Sequence, residues 1–178
     1  MEVAQPSFLE AVMESLITAN DARKYLDYDP ATGAMRWKIW PRTGRPSGRE
    51  ILTTNAQGYR VVVLMGRQYR VHRVAWLMMY GKWPTELLDH VNGKRTDNRL
   101  VNLREATRAE NNRNRGMSGN NTSGFKGVTY NKDRNKWQAT IYRNNKVIHL
   151  GRYPTVQLAF AAYCKASRQY HGEFRRLV

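Results

Sequence analysis

Four side chains between Asp89 and Asn111 have the types and order that phosphodiester hydrolysis needs. Asp89 and His90 are adjacent, Asn102 follows twelve residues after His90, and Asn111 nine after that. The reaction takes a deprotonated water, an in-line approach, and neutralisation of charge on the phosphoryl and leaving oxygens. An imidazole titrating near neutrality suits the base, and a divalent cation suits the charge. Asp89 offers a hard anionic oxygen and Asn111 a neutral carbonyl oxygen, a pair better matched to Mg²⁺ or Mn²⁺ than to zinc. Asn102 is suited to accept a hydrogen bond from one ring nitrogen of His90 and leave the other for the proton. The same residues also admit a plain structural reading, in which Asp89 and Asn92 make turns and the asparagines act as caps.

The surrounding sequence supplies elements that would carry these groups. LLDHV reads as a short strand, Asn92-Gly93 as a turn, KRTDN as a polar loop and LVNL as a second strand. Thr107 with Glu110 has the spacing of a capping box, so a helix should begin near Thr107 and carry Asn111 about one turn in. One constraint follows at once. Neighbours on a regular strand face opposite sides, so Asp89 and His90 share a site only where the strand ends or bulges.

Upstream, GYRVVVLM and RQYRVHRV read as a hairpin turned at Gly66, passing into a buried helix that Gly81 and Pro84 end. His72 sits at that junction among Val71, Val74 and Trp76, and reads as a packing residue ahead of a catalytic one. MRWKIW is a short strand. The PRTGRPSGRE segment after it excludes a helix, and its Arg42, Arg45 and Arg49 suit a phosphate-binding loop as well as a solvated one. At the N-terminus Ser7 and Glu10 form a capping box, and Leu9, Val12, Met13, Leu16 and Ile17 recur at helical spacing, predicting an amphipathic helix to about Asn20.

Charge selects the partner. The 178 residues hold 30 Lys and Arg against 14 Asp and Glu, a net +16, which favours a polyanion. Residues 1–30 are acidic, whereas residues 116–178 carry eleven Lys and Arg against Asp133 and Glu173. No apolar run approaches the roughly 18 residues of a membrane span, so nucleic acid is the expected partner and a membrane is not. The single cysteine, Cys164, excludes an intrachain disulfide and a cysteine-rich zinc site, which points to a reducing, cytoplasmic compartment.

The run DHVNGKRTDNRLVNLREATRAENNRNR resembles HNH endonucleases of the phage and intron homing type, and YLDYDPATGAMRWK with GYR and VHRVAWLMMYGKWP resembles the segment that precedes it in such phage proteins. The resemblance implies a ββα-metal site with Asp89 and Asn111 as ligands of one divalent metal, His90 as general base and Asn102 as the residue orienting it. It implies asparagine in place of histidine at the last position, a variant found among homing members. A phage origin would place the protein in the bacterial host cytoplasm.

Beyond Asn111, NNRNRGMSGNNTSG lacks apolar periodicity and reads as a linker, in which Arg113 and Arg115 suit a DNA backbone or plain solvent. FKGVTYN, KWQATIYR and KVIHLGRY then read as short strands, the second and third alternating with period two, and an alanine-rich helix over residues 156–170 has a stripe of Leu158, Ala159, Ala162, Tyr163 and Ala166. A three-stranded sheet backed by one helix leaves a polar, basic face of a size to enter a major groove. SGFKGVTYNKDRNKWQATIYR, IHLGRYPT and the closing YHGEF resemble the AP2 domain. That resemblance places Lys126, Thr129, Asn131, Lys136, Thr140, Tyr142, His149 and Arg152 toward DNA. Thr129, Asn131 and Tyr142 replace arginines of the plant domains, so the plant base preference does not carry over.

The expected fold class is therefore α+β: a ββα-metal HNH core with an N-terminal helix (1–23) and a β-rich accessory segment (together 24–115), a linker (116–123), and an AP2-like three-stranded antiparallel sheet with one helix (124–178). The expected function is a Mg²⁺- or Mn²⁺-dependent homing endonuclease acting on double-stranded DNA, as a monomer or a homodimer. The alternative is a sequence-specific DNA-binding regulator with an inactive HNH core, and a basic RNA-binding protein comes third.

Overall fold

A computed structural model describes residues 17–144 and 146–177. The chain divides into two compact units, Met1–Glu105 and Ala106–Val178. The fold is α+β, built from small antiparallel sheets and short helices.

In the first unit, α1 (Ala19–Tyr25) starts at a reciprocal cap. The Asp21 N–H donates to Thr18 Oγ1 at 3.1 Å, and the Thr18 N–H donates to Asp21 Oδ2 at 2.9 Å. The helix predicted from Ser7 lies outside the described residues except at its end. There the expectation is corrected: Ile17 and Thr18 are not helical, because the Thr18 cap opens a new helix where the old one was to stop. Two hairpins follow, β1 (Leu26–Tyr28) with β2 (Met35–Trp37), and β3 (Val61–Leu64) with β4 (Arg67–Arg70). The second turns on Met65-Gly66, both at positive φ, as a two-residue primed turn requires. β4 runs directly into α2 (Val71–Tyr80), which ends at Gly81 in the left-handed region. Leu26, Met35, Val62, Leu64, Val71, Val74 and Leu77 close into one core, so α2 is clamped along its buried face. The PRTGRPSGRE segment runs back along β2, with the Trp37 N–H on Arg49 O and the Trp40 N–H on Arg45 O, and its arginines are exposed.

β5 (Leu87–His90) pairs with β6 (Leu103–Ala106). Between them the chain makes the turn at Asn92-Gly93, a polar loop, and a 3₁₀ turn over Leu100–Asn102. LVNL was expected to be strand throughout; its first three residues form that 3₁₀ turn instead, with the Leu100 N–H bound to Pro30 O. The hairpin β1–β2 thus buttresses the loop. Gly33 makes this possible: at φ 75° it lies so close to the Asn98–Arg99 backbone that a Cβ would sit 2.4 Å from the Arg99 nitrogen.

The second unit opens with α3 (Arg108–Arg113), capped by Thr107 with Glu110 in the predicted box. Lys126 holds its other end, donating to the Arg113 carbonyl at 2.9 Å and the Arg115 carbonyl at 2.5 Å. A three-stranded antiparallel sheet follows, β7 (Val128–Asn131), β8 (Lys136–Arg143) and β9 (Lys146–Tyr153), with α4 (Val156–His171) packed on one face. Val128, Ala139 and Ile141 meet Ala159, Phe160, Tyr163 and Ala166 there. Leu158 departs from its predicted place on the stripe and is exposed, because the buried face at helical spacing runs through Ala159, Tyr163, Ala166 and Ser167, with Phe160 beside it. Gly127 admits the Tyr163 ring, whose carbon would lie 2.2 Å from an added Cβ.

Candidate active site

β5 stops at His90, so the strand end that Asp89 and His90 require is present, and both side chains are buried. Asp89 meets the guanidinium of Arg104 on β6, which donates from Nε at 3.1 Å and Nη2 at 3.0 Å to the same oxygen, Oδ2. Sequence reasoning passed over Arg104, whose only signal was its place on the strand opposite Asp89.

His90 lies in a different set of contacts. Its Nε2 is 3.2 Å from Asn98 Oδ1, and Asn98 is 1% exposed. In the tautomer protonated at Nε2, Oδ1 accepts from that nitrogen and Nδ1 carries the ring's lone pair. The backbone of Asn98 is held from outside, its main-chain carbonyl accepting the Tyr28 hydroxyl at 2.7 Å. Burial raises the Tyr28 phenol to about 12, so it remains a donor. Burial also lowers the His90 pKa below the ordinary imidazole value, opposed by the Asn98 bond and the Asp89 charge. The ring is therefore neutral at neutral pH and able to take a proton.

Asn102 acts on the loop. Its Nδ2 donates to Asn92 Oδ1 at 3.0 Å and to the Asp97 carbonyl at 2.8 Å, and its Oδ1 accepts the Asn92 N–H at 2.9 Å. These bonds close the loop that carries Asn98. Asp97 reinforces it by accepting from Asn92 Nδ2 at 2.6 Å and from Arg99 at 2.7 Å, and Arg99 holds the Asp97 carboxyl down at about 2. The amide that meets Nε2 of His90 is thus that of Asn98. An asparagine inside KRTDN carries no sequence sign of this, since polar loops are full of them.

His72, expected as a packing residue, packs against His90 itself. It is 3% exposed, its ring stands edge-on to that of His90 at 4.8 Å between centroids, and Tyr59 lies 5.2 Å from it. Burial drives its pKa down to about 3, so it is neutral as well.

Asp89 is the carboxylate here that could offer a metal a hard oxygen. Among the described residues no three His, Cys, Asp or Glu side chains gather to hold an ion. A single protein carboxylate nevertheless fits Mg²⁺, which commonly keeps water and substrate phosphate in its other places. Asn111 stands on α3 in the second unit, with its N–H on the Thr107 carbonyl.

The groups expected to face DNA form a surface of the second unit. Cross-strand pairing aligns Thr129 with Gln138 and Arg152, Asn131 with Lys136, Thr140 with His149, and Tyr142 with Val147, all on the sheet face away from α4. A bulge between Ala139 and Thr140 in the β8–β9 register keeps His149 and Arg152 on one face although they are three residues apart. Gln138 Nε2 lies 3.1 Å from His149 Nδ1. Lys126 differs from this group, since its half-buried ammonium is engaged by the α3 carbonyls; burial lowers its pKa to about 8. Arg113, Arg115, Lys126, Thr140 and Tyr142 also line one open cavity of about 400 Å³ in the second unit.

Comparison with known proteins divides the chain in the same order. A family model described as HNH endonuclease matches residues 69–113, and one described as AP2 domain matches residues 123–173. Protein 3.8 of Escherichia phage T7 is 31% identical over 108 residues, 60% of this chain and 88% of that protein. A protein of Acanthamoeba polyphaga mimivirus described as an uncharacterized HNH endonuclease is 29% identical over 119 residues, 66% of this chain and 60% of that protein's length. No solved structure matches the chain. No helix among the described residues is long and apolar enough to cross a membrane.

Proposed function

We propose, because this chain belongs to the HNH endonuclease family and carries an AP2 domain, that it is a divalent-metal-dependent homing endonuclease hydrolysing phosphodiester bonds in double-stranded DNA. The observation that supports this most is His90: a neutral, buried imidazole at a strand end, next to a carboxylate and with its Nε2 3.2 Å from the side-chain oxygen of Asn98. In this reading His90 takes the proton of the attacking water. Asn98 holds the ring, and Asn102 holds the loop that carries Asn98, so Asn102 is a positioning residue at one remove. Asp89 and Asn111 keep the metal-ligand roles that the family resemblance gives them. A bound Mg²⁺ or Mn²⁺ would supply charge neutralisation at the phosphoryl oxygen. The exposed face of Thr129, Asn131, Lys136, Thr140, Tyr142, His149 and Arg152 aims the nuclease at its target, assisted by the backbone-binding Arg42, Arg45, Arg113 and Arg115. One active site per chain makes nicking the expected outcome for a monomer, and a homodimer would cut both strands.

The Arg104–Asp89 pair favours a second reading, a DNA-binding regulator with an inactive core, since the guanidinium takes a carboxylate oxygen that a metal would use. One assay separates the two. Supercoiled plasmid incubated with wild-type protein and Mg²⁺ or Mn²⁺ is expected to be nicked or linearised, and His90→Ala or EDTA is expected to abolish this. An intact plasmid with wild-type protein in both metals would leave the regulator.

A further inference from the structure

Beside His90 the first unit gathers cations on an aromatic ring. The guanidinium carbon of Arg70 lies 4.6 Å from the centre of the Tyr59 ring and that of Arg95 lies 5.2 Å from it. Both side chains are also tied to Gln57: Arg70 Nη2 donates to its side-chain oxygen at 2.8 Å, and Arg95 Nη1 to its backbone carbonyl at 2.7 Å. The Tyr59 ring stands 6.0 Å from that of His90. Both arginines are exposed, and Asp97–Arg99, Asp89–Arg104 and the Glu50 pairs leave both out.

Two like charges brought to one ring without a carboxylate repel each other. Gln57 and the Tyr59 face pre-order them all the same, and each guanidinium retains N–H groups for a further acceptor. The acceptor that suits two fixed guanidiniums is a phosphate, which takes parallel N–H bonds and neutralises both.

We propose that Arg70 and Arg95, mounted on Tyr59, form a clamp for a backbone phosphate of the DNA strand next to the one that His90 addresses. This rests on the nuclease reading of His90. In this arrangement the clamp fixes the strand's register at the site without reading a base. Arg70 lies at the end of β4 and Arg95 in the loop after β5, so the clamp bridges the hairpin that leads into His72 and the loop that carries Asn98.

The test measures binding of a fluorescent duplex over a range of salt in EDTA, with melting curves to confirm folding. Arg70→Gln/Arg95→Gln is expected to reduce the slope of log affinity against log salt by about 0.9, the contribution of the one phosphate the clamp neutralises. Tyr59→Ala changes no charge but removes the mount, and is expected to weaken binding in the same direction, whereas Tyr59→Phe should bind like wild type. A folded double variant with wild-type slope and affinity would overturn the clamp. So would a double variant that loses affinity while a folded Tyr59→Ala loses none, because the arginines would then act only as diffuse charge. A parallel plasmid assay with His90→Ala keeps the two ideas apart: equal cleavage by His90→Ala and wild type would remove the nuclease reading and leave the binding result to stand as measured.

Discussion

The two units keep their function in opposite kinds of surroundings. In the first, the groups proposed for chemistry are buried: Asp89, His90, Asn98 and Asn102 are 1–5% exposed, and each has specific partners. In the second, Thr129, Lys136, Tyr142, His149 and Arg152 are exposed, and only the sheet register brings them together. A buried polar network is all-or-none, because an unpartnered member pays the full desolvation penalty. A surface built from register and charge loses function in small, additive steps. The difference is one of response to substitution, and it can be measured.

The sharpest break is at the ion pair. Arg104→Ala leaves the Asp89 carboxylate buried without its guanidinium, which is expected to destabilise the first unit by about 3–5 kcal/mol in denaturant melts. Arg104→Lys should recover part of this, because a single ammonium replaces the two-nitrogen contact with Oδ2. Asn98→Ala comes next. It removes the acceptor at His90 Nε2 and is expected to cost about 1–3 kcal/mol of stability. Its cleavage rate should fall with little change in KM, since the ring loses its orientation while the DNA-binding surface is untouched. Asn102→Ala should give a smaller fall in rate, acting through the loop. Equal rates for Asn98→Ala and wild type would return the orienting role to another group.

Protonation tests the same burial from another side. The folded-state pKa of His72, about 3, lies below its ordinary 6.5. Between these values the unfolded chain binds more protons, so stability is fully present above 6.5 and falls as pH drops toward 3, by about 1.4 kcal/mol per pH unit over the steep part of that window. His90 and His171 are lowered by burial as well and contribute in the same direction. A folded His72→Phe should therefore show a shallower loss between pH 6 and 4 than wild type, and parallel curves would contradict the buried, neutral state of His72.

The same contrast explains what the sequence disclosed. Local signals were legible: the Thr107–Glu110 box, the Gly66 hairpin, and the period-two strands of the second unit all depend on neighbours within a few residues. The adjacent Asp89 and His90 were legible as candidates for chemistry, and the requirement for a strand end followed from the pleat. The partners of those residues were not. The loop that brings Asn98 to His90 is held in part by Tyr28 and Gly33, some seventy residues earlier in the chain, and no local pattern encodes such a contact. His72 looked like a core histidine, which it is; that its neighbour in the core is His90 depends on how α2 meets β5. The bulge that keeps His149 and Arg152 on one face also has no signature in an alternating run, which by itself would put them on opposite faces.

The smallest expected effects belong to that face. Arg152 is exposed and stands across from Gln138, with Thr129 on the far strand of the same row. If the row lies against a phosphate backbone, Arg152→Gln should weaken duplex binding modestly and alike for all sequences, and reduce the salt slope by about 0.9. Lys136→Gln, one row away beside Asn131, should behave in the same way, and the two losses should add, because the residues share no partner. Neither change should move the melting temperature or the cleavage rate at saturating DNA. A sequence-dependent loss at Arg152 would mean that this residue reads a base edge, and the second unit would then depend on individual side chains as closely as the first.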